Sequence, residues 1–540
     1  MESFRQKIFV EKMKTLAALC RSVPAVRFCG AAAETCVPQS LVSDSRRVIP
    51  GALFVAMPGL RVRGSDFAAE AMKRGAVAVV ADAPLPALPP HVAQAIVPNV
   101  AQAAALIARE FYAVPAGAAA GGEQPFPIVG ITGTNGKTSV TSLFRFLIAS
   151  QTGTRLGLIG TVSYELGRRS IPSYKTTPEA LDLAAFFAEM RASGCAGAVM
   201  EVSSHAISQN RVYGIPFEAV AFTNLTQDHM DYHGTMENYF AVKSRLFDGS
   251  QGSFPRAAVI NADDAYGRRL LETLPAQTKA FAFGLQHPAK TLRGRDRGFF
   301  AQKIGLSPAG STFELHCAYG IFEVKTALPG EYNVSNVLCA LALVAAAGGN
   351  VRRAVEDLPY FRGVPGRMER VPAGTENENE KPFPFDVFVD YAHTDDALAN
   401  VLGMLKKIVR GRLLVIFGCG GNRDRGKRPK MVRAVQKFAD FAWATSDNPR
   451  KEPLEQIFED MRTGVDFPEK IEFEPDRRRA IGRALESAEA GDCVLIAGKG
   501  HENYQEFADI TLPFDDKAVA AELLELLRCR LRSRVNPTQI

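Results

Sequence analysis

The sequence predicts a three-domain α/β protein, and three observations carry that expectation. Short β-branched runs alternate with helical segments. Several of those runs end in glycine-rich turns that lead into helices. Two Gly/Pro-rich seams interrupt the rhythm. Strand, glycine turn and helix in succession is the pattern of parallel sheets whose ligands bind at the strand C-termini. The length of 540 residues agrees, because roughly 150 residues per domain allows three to four domains.

In chain order, the N-terminal segment MESFRQKIFVEKMKTLAALC is broken by Glu11, Lys12 and Lys14, so it lacks the apolar run of a secretory signal. The first seam is AVPAGAAAGGEQPFP, residues 113–127, whose small residues, glycines and prolines read as an interdomain linker. The run from Pro127 to Thr132 predicts a strand, and the periodic stretch from Val140 to Ser150 a helix. A second strand is predicted over Ala196 to Met200. The apolar run from Val337 to Ala347 is shorter than the roughly 18 residues a membrane span needs. The second seam, FRGVPG at 361–366, ends a helical segment, and ENENEKP at 376–382 reads as an exposed polar loop. Leu413 to Phe417 and Cys493 to Ala497 predict two more strands that end in glycine turns. The seams divide the chain into residues 1–120, 121–362 and 363–540.

Composition narrows the class. The chain is 46% hydrophobic, 23% charged and 9% aromatic, which fits a globular protein and excludes collagen, mucin and extended disorder. A net charge of +6 over 540 residues does not point to nucleic acid and is compatible with small anionic substrates. Nine scattered cysteines without a CxxC pair suit a reducing compartment. The expected setting is cytoplasmic. The expected partners are small molecules rather than nucleic acid or a membrane, with the chain acting as a monomer.

Four clusters carry chemistry. In Gly130-Ile-Thr-Gly-Thr-Asn-Gly-Lys-Thr-Ser139, a turn aims backbone N–H groups at phosphates on a helix N-terminus. Lys137 would neutralise the β/γ-phosphates and Thr138 would ligate Mg²⁺. The first glycine of the usual motif falls at Ile131, with Gly133 inside the loop instead. The second cluster is Glu201-Val-Ser-Ser-His205, where a strand-end carboxylate suits the metal side of a phosphate loop. The third, Thr223 to His233 followed by Lys243, holds two His and two Asp that could ligate a metal or simply cap a polar loop. The fourth comprises Gly366-Arg367, Asp390 to His393, the run from Gly418 to Arg428, Asp447 to Arg450 and Gly498 to Glu502. These follow predicted strands and suit carboxylate and phosphate ligands, and the Arg423 to Arg428 run is expected to line a cleft.

With these motifs together, the sequence resembles the Mur ligase family over nearly its whole length, from Asp44-Ser-Arg46 to Gly498-Lys-Gly-His-Glu502. The resemblance implies a UDP-binding N-terminal domain, a central P-loop ATPase domain and a C-terminal Rossmann-like domain for the incoming amino acid. It is nearest the branch that adds the third peptide residue to UDP-N-acetylmuramoyl-L-alanyl-D-glutamate. By resemblance, Ser43, Ser45, Leu60, Arg61 and Val62 contact the UDP-sugar. Lys175, Thr176, Thr177, Ser203, Gln209 and Arg211 contact the muramoyl-peptide. Gly133, Thr134, Asn135, Gly136, Lys137, Thr138 and Ser139 form the ATP loop, with Asn333, Asn336, Arg367 and Asp390 as further nucleotide contacts. Glu201 and His229 match Mg²⁺ ligands beside Thr138, and Lys243 matches a carbamylated lysine whose carbamate supplies another oxygen. Lys137, Lys243, His229 and Glu201 are the catalytic set this implies.

The implied chemistry activates a carboxylate as an acyl phosphate, which the incoming amine then displaces. Arg423, Asp447, Asn448, Pro449, Arg450, Gly498 and Glu502 match the amino-acid pocket. Asp447-Asn-Pro-Arg450 resembles the form in ligases that add meso-diaminopimelate, whose distal carboxylate a guanidinium binds. An Arg450 paired with a protein carboxylate would instead suit a purely cationic end such as that of ornithine. Asp395 stands where the family usually has Pro, with only a loop effect expected. A folylpolyglutamate-synthase-like ligase is opposed by the Asp447-to-Arg450 stretch and by the N-terminal domain. A P-loop switch is opposed by the lack of an Asn-Lys-x-Asp stretch.

Overall fold

A computed structural model describes residues 14–30, 33–59, 62–114, 126–286, 297–372 and 382–535. Leu60, Arg61, most of the first seam, residues 376–381 of the polar loop and the first thirteen residues lie outside that set. The chain forms two compact units, one of 1–301, 315–322 and 335–357, the other of 302–314, 323–334 and 358–540.

The first unit begins with a five-stranded sheet of β1 (Arg27–Cys29), β2 (Ser40–Val42), β3 (Ala52–Val55), β4 (Ala78–Ala81) and β5 (Ala93–Ile96). The order is β1-β5-β4-β3-β2, parallel except where β1 meets β5. Alternate side chains enter two cores: Leu53, Val55 and Val80 face one, Phe54, Val79 and Ile96 the other. Cover on both faces is why these strands read as continuous apolar runs.

The same unit holds the strands of a second sheet: β6 (Ile128–Thr132), β7 (Leu156–Ile159), β8 (Ser163–Glu165), β9 (Ser170–Pro172), β10 (Gly197–Glu201), β11 (Phe217–Phe222), β12 (Ala257–Asn261) and β13 (Lys279–Gly284). They run in the order β9-β8-β7-β10-β6-β11-β12-β13, and β14 (Gly298–Ser307) starts by pairing with β13. Strand β6 is parallel to β10 on one side and to β11 on the other, so the chain after β6 can leave toward either half. Ligands of open parallel sheets bind at the C-terminal end of such a strand. Two further strands, β15 (Gly310–Cys317) and β16 (Gly320–Thr326), follow in sequence. The apolar run at 337–347 falls largely in the buried helix Glu331–Ala346, and no described helix is long and apolar enough to cross a membrane.

The second unit holds a six-stranded sheet of β17 (Glu369–Arg370), β18 (Asp386–Asp390), β19 (Leu413–Cys419), β20 (Phe441–Ser446), β21 (Ile471–Glu474) and β22 (Cys493–Ala497). The order is β17-β18-β22-β19-β20-β21, with only β17 antiparallel. The residues of the fourth cluster therefore gather at the C-terminal edge of parallel strands, just beyond Asp390, Cys419, Ser446 and Ala497. A hairpin of β23 (Tyr504–Phe507) and β24 (Ile510–Pro513) follows. Asp395 is not a loop residue. Thr394 caps the helix Asp395–Ile408 and accepts from the Ala397 N–H at 3.2 Å, which places Asp395 at the first helical position. Proline and acidic residues both suit that position, for its missing donor and its positive dipole end respectively.

Candidate active site

The turn after β6 leads into a helix N-terminus, but two of its N–H groups, those of Thr134 and Asn135, are taken up by Asn224. Residue 131 is still inside β6, paired in register with Glu201 and Ala221, so the turn starts two residues later than in the common motif and the glycine is needed at 133. Gly133 has φ +147°, and a Cβ there would overlap the Thr223 hydroxyl. Gly136, at φ +86°, caps the helix Lys137–Thr152, and a Cβ on it would strike the Asn336 side chain. The first turn of that helix contains no acidic residue, so its N-terminal dipole is left to an external anion. The Thr134 and Asn135 N–H groups donate to the Asn224 carbonyl and side-chain oxygen, each at 2.9 Å. Lys137 folds over the turn, its Nζ donating to the carbonyls of Gly133 and Thr134 at 3.0 and 2.8 Å. Ser139 lies half-buried in the same first turn.

Glu201 is 1% exposed at the end of β10, not solvated as strand-end carboxylates usually are. Its Oε2 accepts from the Thr138 hydroxyl at 3.1 Å and the Thr161 hydroxyl at 3.0 Å, and its Oε1 from the Thr161 N–H at 2.8 Å. Thr161 is absent from the sequence-derived set, and its only signal is the Gly160-Thr161 turn after β7.

Lys243, also 1% exposed, donates from Nζ to the Gly133 carbonyl at 3.0 Å and sits 4.6 Å from the centre of the Tyr239 ring. Burial, and then the positive charge of Lys137, hold this amine well below the usual lysine range.

The Thr223 to His233 stretch is no metal cage of its own. His233 is buried, with Nε2 3.0 Å from the Ser204 hydroxyl and its ring stacked on Tyr239. His229, at φ +54°, is exposed and pairs with Asp228 at 3.4 Å. His205 lies 4.8 Å from the His229 ring, and burial followed by the neighbouring His229 pushes it down to about 4. Among the described residues no three His, Cys, Asp or Glu side chains converge on one point.

The residues matched to the muramoyl-peptide lie together. The Thr177 hydroxyl donates to the Glu201 carbonyl at 2.9 Å and accepts from the Ser203 N–H at 3.0 Å. Arg211 donates to the Thr177 carbonyl at 2.8 Å and to Gln209, and shares Glu179 with Lys175. Thr176 reaches Thr161 at 3.2 Å. In the N-terminal sheet, Ser43 is exposed after β2, Ser45 is buried against Glu70 at 3.3 Å, and Val62 is exposed.

In the second unit, Asp390 accepts from the Met368 and Ala392 N–H groups at 2.7 and 2.8 Å, and burial pushes its carboxyl up against the pull of Arg367. Arg367 lies over the Tyr391 ring at 4.6 Å. Asn333 donates to the Pro329 carbonyl at 2.8 Å. Asn448 donates to Glu502 at 2.9 Å and accepts from the fully buried Lys499 at 3.1 Å. Asp447 packs against Gly498, where a Cβ would fall 2.7 Å from its Oδ2. Arg450 has φ +56°, donates from Nη1 to the Gly421 carbonyl at 3.0 Å, and pairs through Nε with Glu506 at 3.0 Å. Pro449 joins Asn448 to Arg450, and Arg423 is exposed.

The expected cleft of charges at 423–428 is corrected. Arg428 is fully buried between Glu452 and Asp460, each at 2.7 Å, and Arg425 binds Asp460. Arg428 in turn pulls the Glu452 carboxyl down to about 2. Arg425 and Arg428 are thus taken up by protein carboxylates, whereas among the described residues Arg423 is not.

The Mur ligase middle domain matches residues 131–344, the Mur ligase glutamate ligase domain 366–500, and the Mur ligase family catalytic domain 39–112. A UDP-N-acetylmuramoyl-L-alanyl-D-glutamate–2,6-diaminopimelate ligase of Solibacter usitatus is 42% identical over 487 residues, covering 90% of this chain and 93% of its own. The chain belongs to the Mur ligase family. A ligase of the same name from Listeria monocytogenes is 40% identical, covering 94% of this chain and 98% of its own. A solved structure, also named as a UDP-N-acetylmuramoyl-L-alanyl-D-glutamate–2,6-diaminopimelate ligase, superposes with a TM-score of 0.67 at 33% identity, covering 96% of this chain and all of that one. The three sheets are thus the three domains of the Mur ligase architecture.

Proposed function

We propose that this Mur ligase joins meso-diaminopimelate to UDP-N-acetylmuramoyl-L-alanyl-D-glutamate at the expense of ATP, in peptidoglycan precursor synthesis. The observation that carries the reading is the glycine turn after β6, with Lys137 and the buried Glu201 fixed around it, in a chain whose relatives bear that activity's name. The domains are residues 1–120 for the UDP-sugar, 121–362 for ATP and 363–540 for the amino acid, and the chain works in the cytoplasm as a monomer.

A carboxylate of the bound dipeptide attacks the γ-phosphorus of ATP, and ADP leaves. The amine of the third residue then attacks the acyl phosphate, and inorganic phosphate leaves. A carboxylate is a poor acyl donor, so the first step is what makes the second feasible. The turn from Gly133 to Ser139 holds the phosphates, and Lys137 stabilises charge as it moves between oxygens. The Thr138 hydroxyl and Glu201 carboxylate, 3.1 Å apart, are oxygen donors of the kind Mg²⁺ takes, and with His229 they would hold the ion. The ion would neutralise phosphate charge there. Burial lowers the amine of Lys243, which favours the form that takes up carbon dioxide, and its carbamate would add an anionic oxygen. Asn333, Asn336, Arg367 and Asp390 contact the nucleotide. Lys175, Thr176, Thr177, Ser203, Gln209 and Arg211 hold the peptide, and Ser43, Ser45, Leu60, Arg61 and Val62 the UDP-sugar.

In the amino-acid pocket, the Arg450 guanidinium binds the distal carboxylate of diaminopimelate by charged hydrogen bonding. Asp447, Asn448, Gly498, Glu502 and Arg423 hold the rest of the molecule. Arg450 is paired with Glu506 through Nε and held at Nη1 by the Gly421 carbonyl, an arrangement that also suits a cationic end, so what supports diaminopimelate is the activity named for the relatives. Phosphate release tests the reading. It should require ATP, UDP-muramoyl-dipeptide and a diamino acid together. Release with neither co-substrate would mark a nucleotide switch, and release with a folate and glutamate would mark a folylpolyglutamate-synthase-like ligase.

A further inference from the structure

Glu506 lies outside every motif described above, yet three of its groups are tied to the Asp447-to-Arg450 stretch. Its N–H donates to the Asn448 side-chain oxygen at 3.0 Å, and its carbonyl accepts from the Arg450 N–H at 2.9 Å. Its carboxylate meets Arg450 Nε at 3.0 Å. Two residues on, the Ala508 N–H donates to the Arg450 carbonyl at 2.5 Å, so the chain at the end of β23 clasps Arg450 from both sides of its peptide. Arg450 needs that clasp, because a non-glycine residue at φ +56° is held by its surroundings rather than by its own preference.

The guanidinium is fixed on two sides, Nε by Glu506 and Nη1 by the Gly421 carbonyl. Neither of these contacts uses Nη2. A long arginine side chain loses much rotamer freedom when it binds, and a partner that fixes it beforehand spares the ligand that cost. The Arg450 and Glu506 side chains are 22% and 37% exposed, so the pair is reachable by a ligand rather than sealed in the core.

We propose that Glu506 is a positioning residue for amino-acid selection, which presents the outer edge of Arg450 to a distal carboxylate. This rests on the proposed role of Arg450 in binding diaminopimelate. Glu506 touches no reacting atom, so its effect falls on the binding of one amino acid rather than on the chemical steps.

The test is steady-state ligation by the full chain with meso-diaminopimelate and with L-lysine, for wild type, Glu506→Ala and Glu506→Gln, with thermal melting as a control on folding. In Glu506→Ala the KM for diaminopimelate should rise about tenfold with kcat nearly unchanged, while kcat/KM for lysine holds within about twofold. Glu506→Gln keeps an acceptor at Nε and should recover part of the loss. An unchanged ratio of diaminopimelate to lysine in a folded Glu506→Ala overturns the proposal, as does an equal loss for both amino acids. A wild type that prefers lysine overturns the role of Arg450 itself, which separates that failure from a failure of Glu506.

Discussion

Replacing Gly133 with alanine tests the phosphate turn at its tightest point. A Cβ at 133 would lie well inside the 3.0 Å of the Thr223 hydroxyl below which something must move. That hydroxyl cannot yield freely, because it donates to the Asn135 carbonyl at 2.6 Å within the same turn. Relief therefore takes a displacement of about 1 Å in the turn or in the end of β11, and a misplacement of that size costs on the order of a hundredfold in rate. The φ of +147° adds strain of roughly 1–3 kcal/mol for a residue with a Cβ. The Gly133 carbonyl also receives both Lys137 and Lys243, so the shift would carry both amines with it. Gly133→Ala should lower kcat/KM for ATP-dependent ligation by at least about a hundredfold, with the fold retained by circular dichroism. Adding Thr223→Ala removes the clashing oxygen and should recover part of the activity, leaving the φ strain in place. A folded Gly133→Ala with wild-type kcat/KM would refute the reasoning.

Two other outcomes follow from the same structure. Lys243→Ala should abolish ligation, and a short carboxylic acid such as acetate should restore part of it by standing in for the carbamate; full activity without added acid would remove that role. His501 is pushed down to about 4 by burial and then by Arg367, so below its ordinary value of 6.5 the unfolded chain binds the proton and the folded chain does not. Its contribution is therefore complete above about pH 6.5 and is lost as pH falls from there toward 4, so the urea midpoint should drop more steeply over that window in wild type than in His501→Gln. Parallel pH profiles for the two proteins would contradict this.

The glycine turn after β6 was legible in the sequence because its residue types answer to local requirements. Positive φ demands glycine at 133 and 136, and a lysine and a threonine must follow at the helix start. The strand-end position of Glu201 was legible for a similar reason, since the apolar run before it fixes where the strand stops. The partners that give these residues their geometry were not legible. Thr161 reaches Glu201 from the neighbouring strand β7, and Glu506 reaches Arg450 from a hairpin more than fifty residues later. Such contacts depend on sheet order, which local periodicity does not encode. The run at 423–428 misled for the same reason, because the carboxylates that neutralise Arg428 lie at 452 and 460, on other elements. The two His and two Asp of 228–233 looked like ligands in sequence. Only the turn geometry shows His233 pointing into the core and His229 outward.

The amino-acid selectivity of the purified chain tests the central claim most directly. Lysine and ornithine lack the distal carboxylate and would leave the outer edge of Arg450 without its partner. At about 1.5–3 kcal/mol for a hydrogen bond to a charged group, that loss corresponds to on the order of tenfold to a hundredfold discrimination. The measurement is kcat/KM for meso-diaminopimelate, L-lysine and L-ornithine in one coupled assay, with wild type and Arg450→Ala. Wild type should favour diaminopimelate by that margin and Arg450→Ala should lose the preference, whereas a wild type that favours lysine or ornithine would contradict the diaminopimelate assignment.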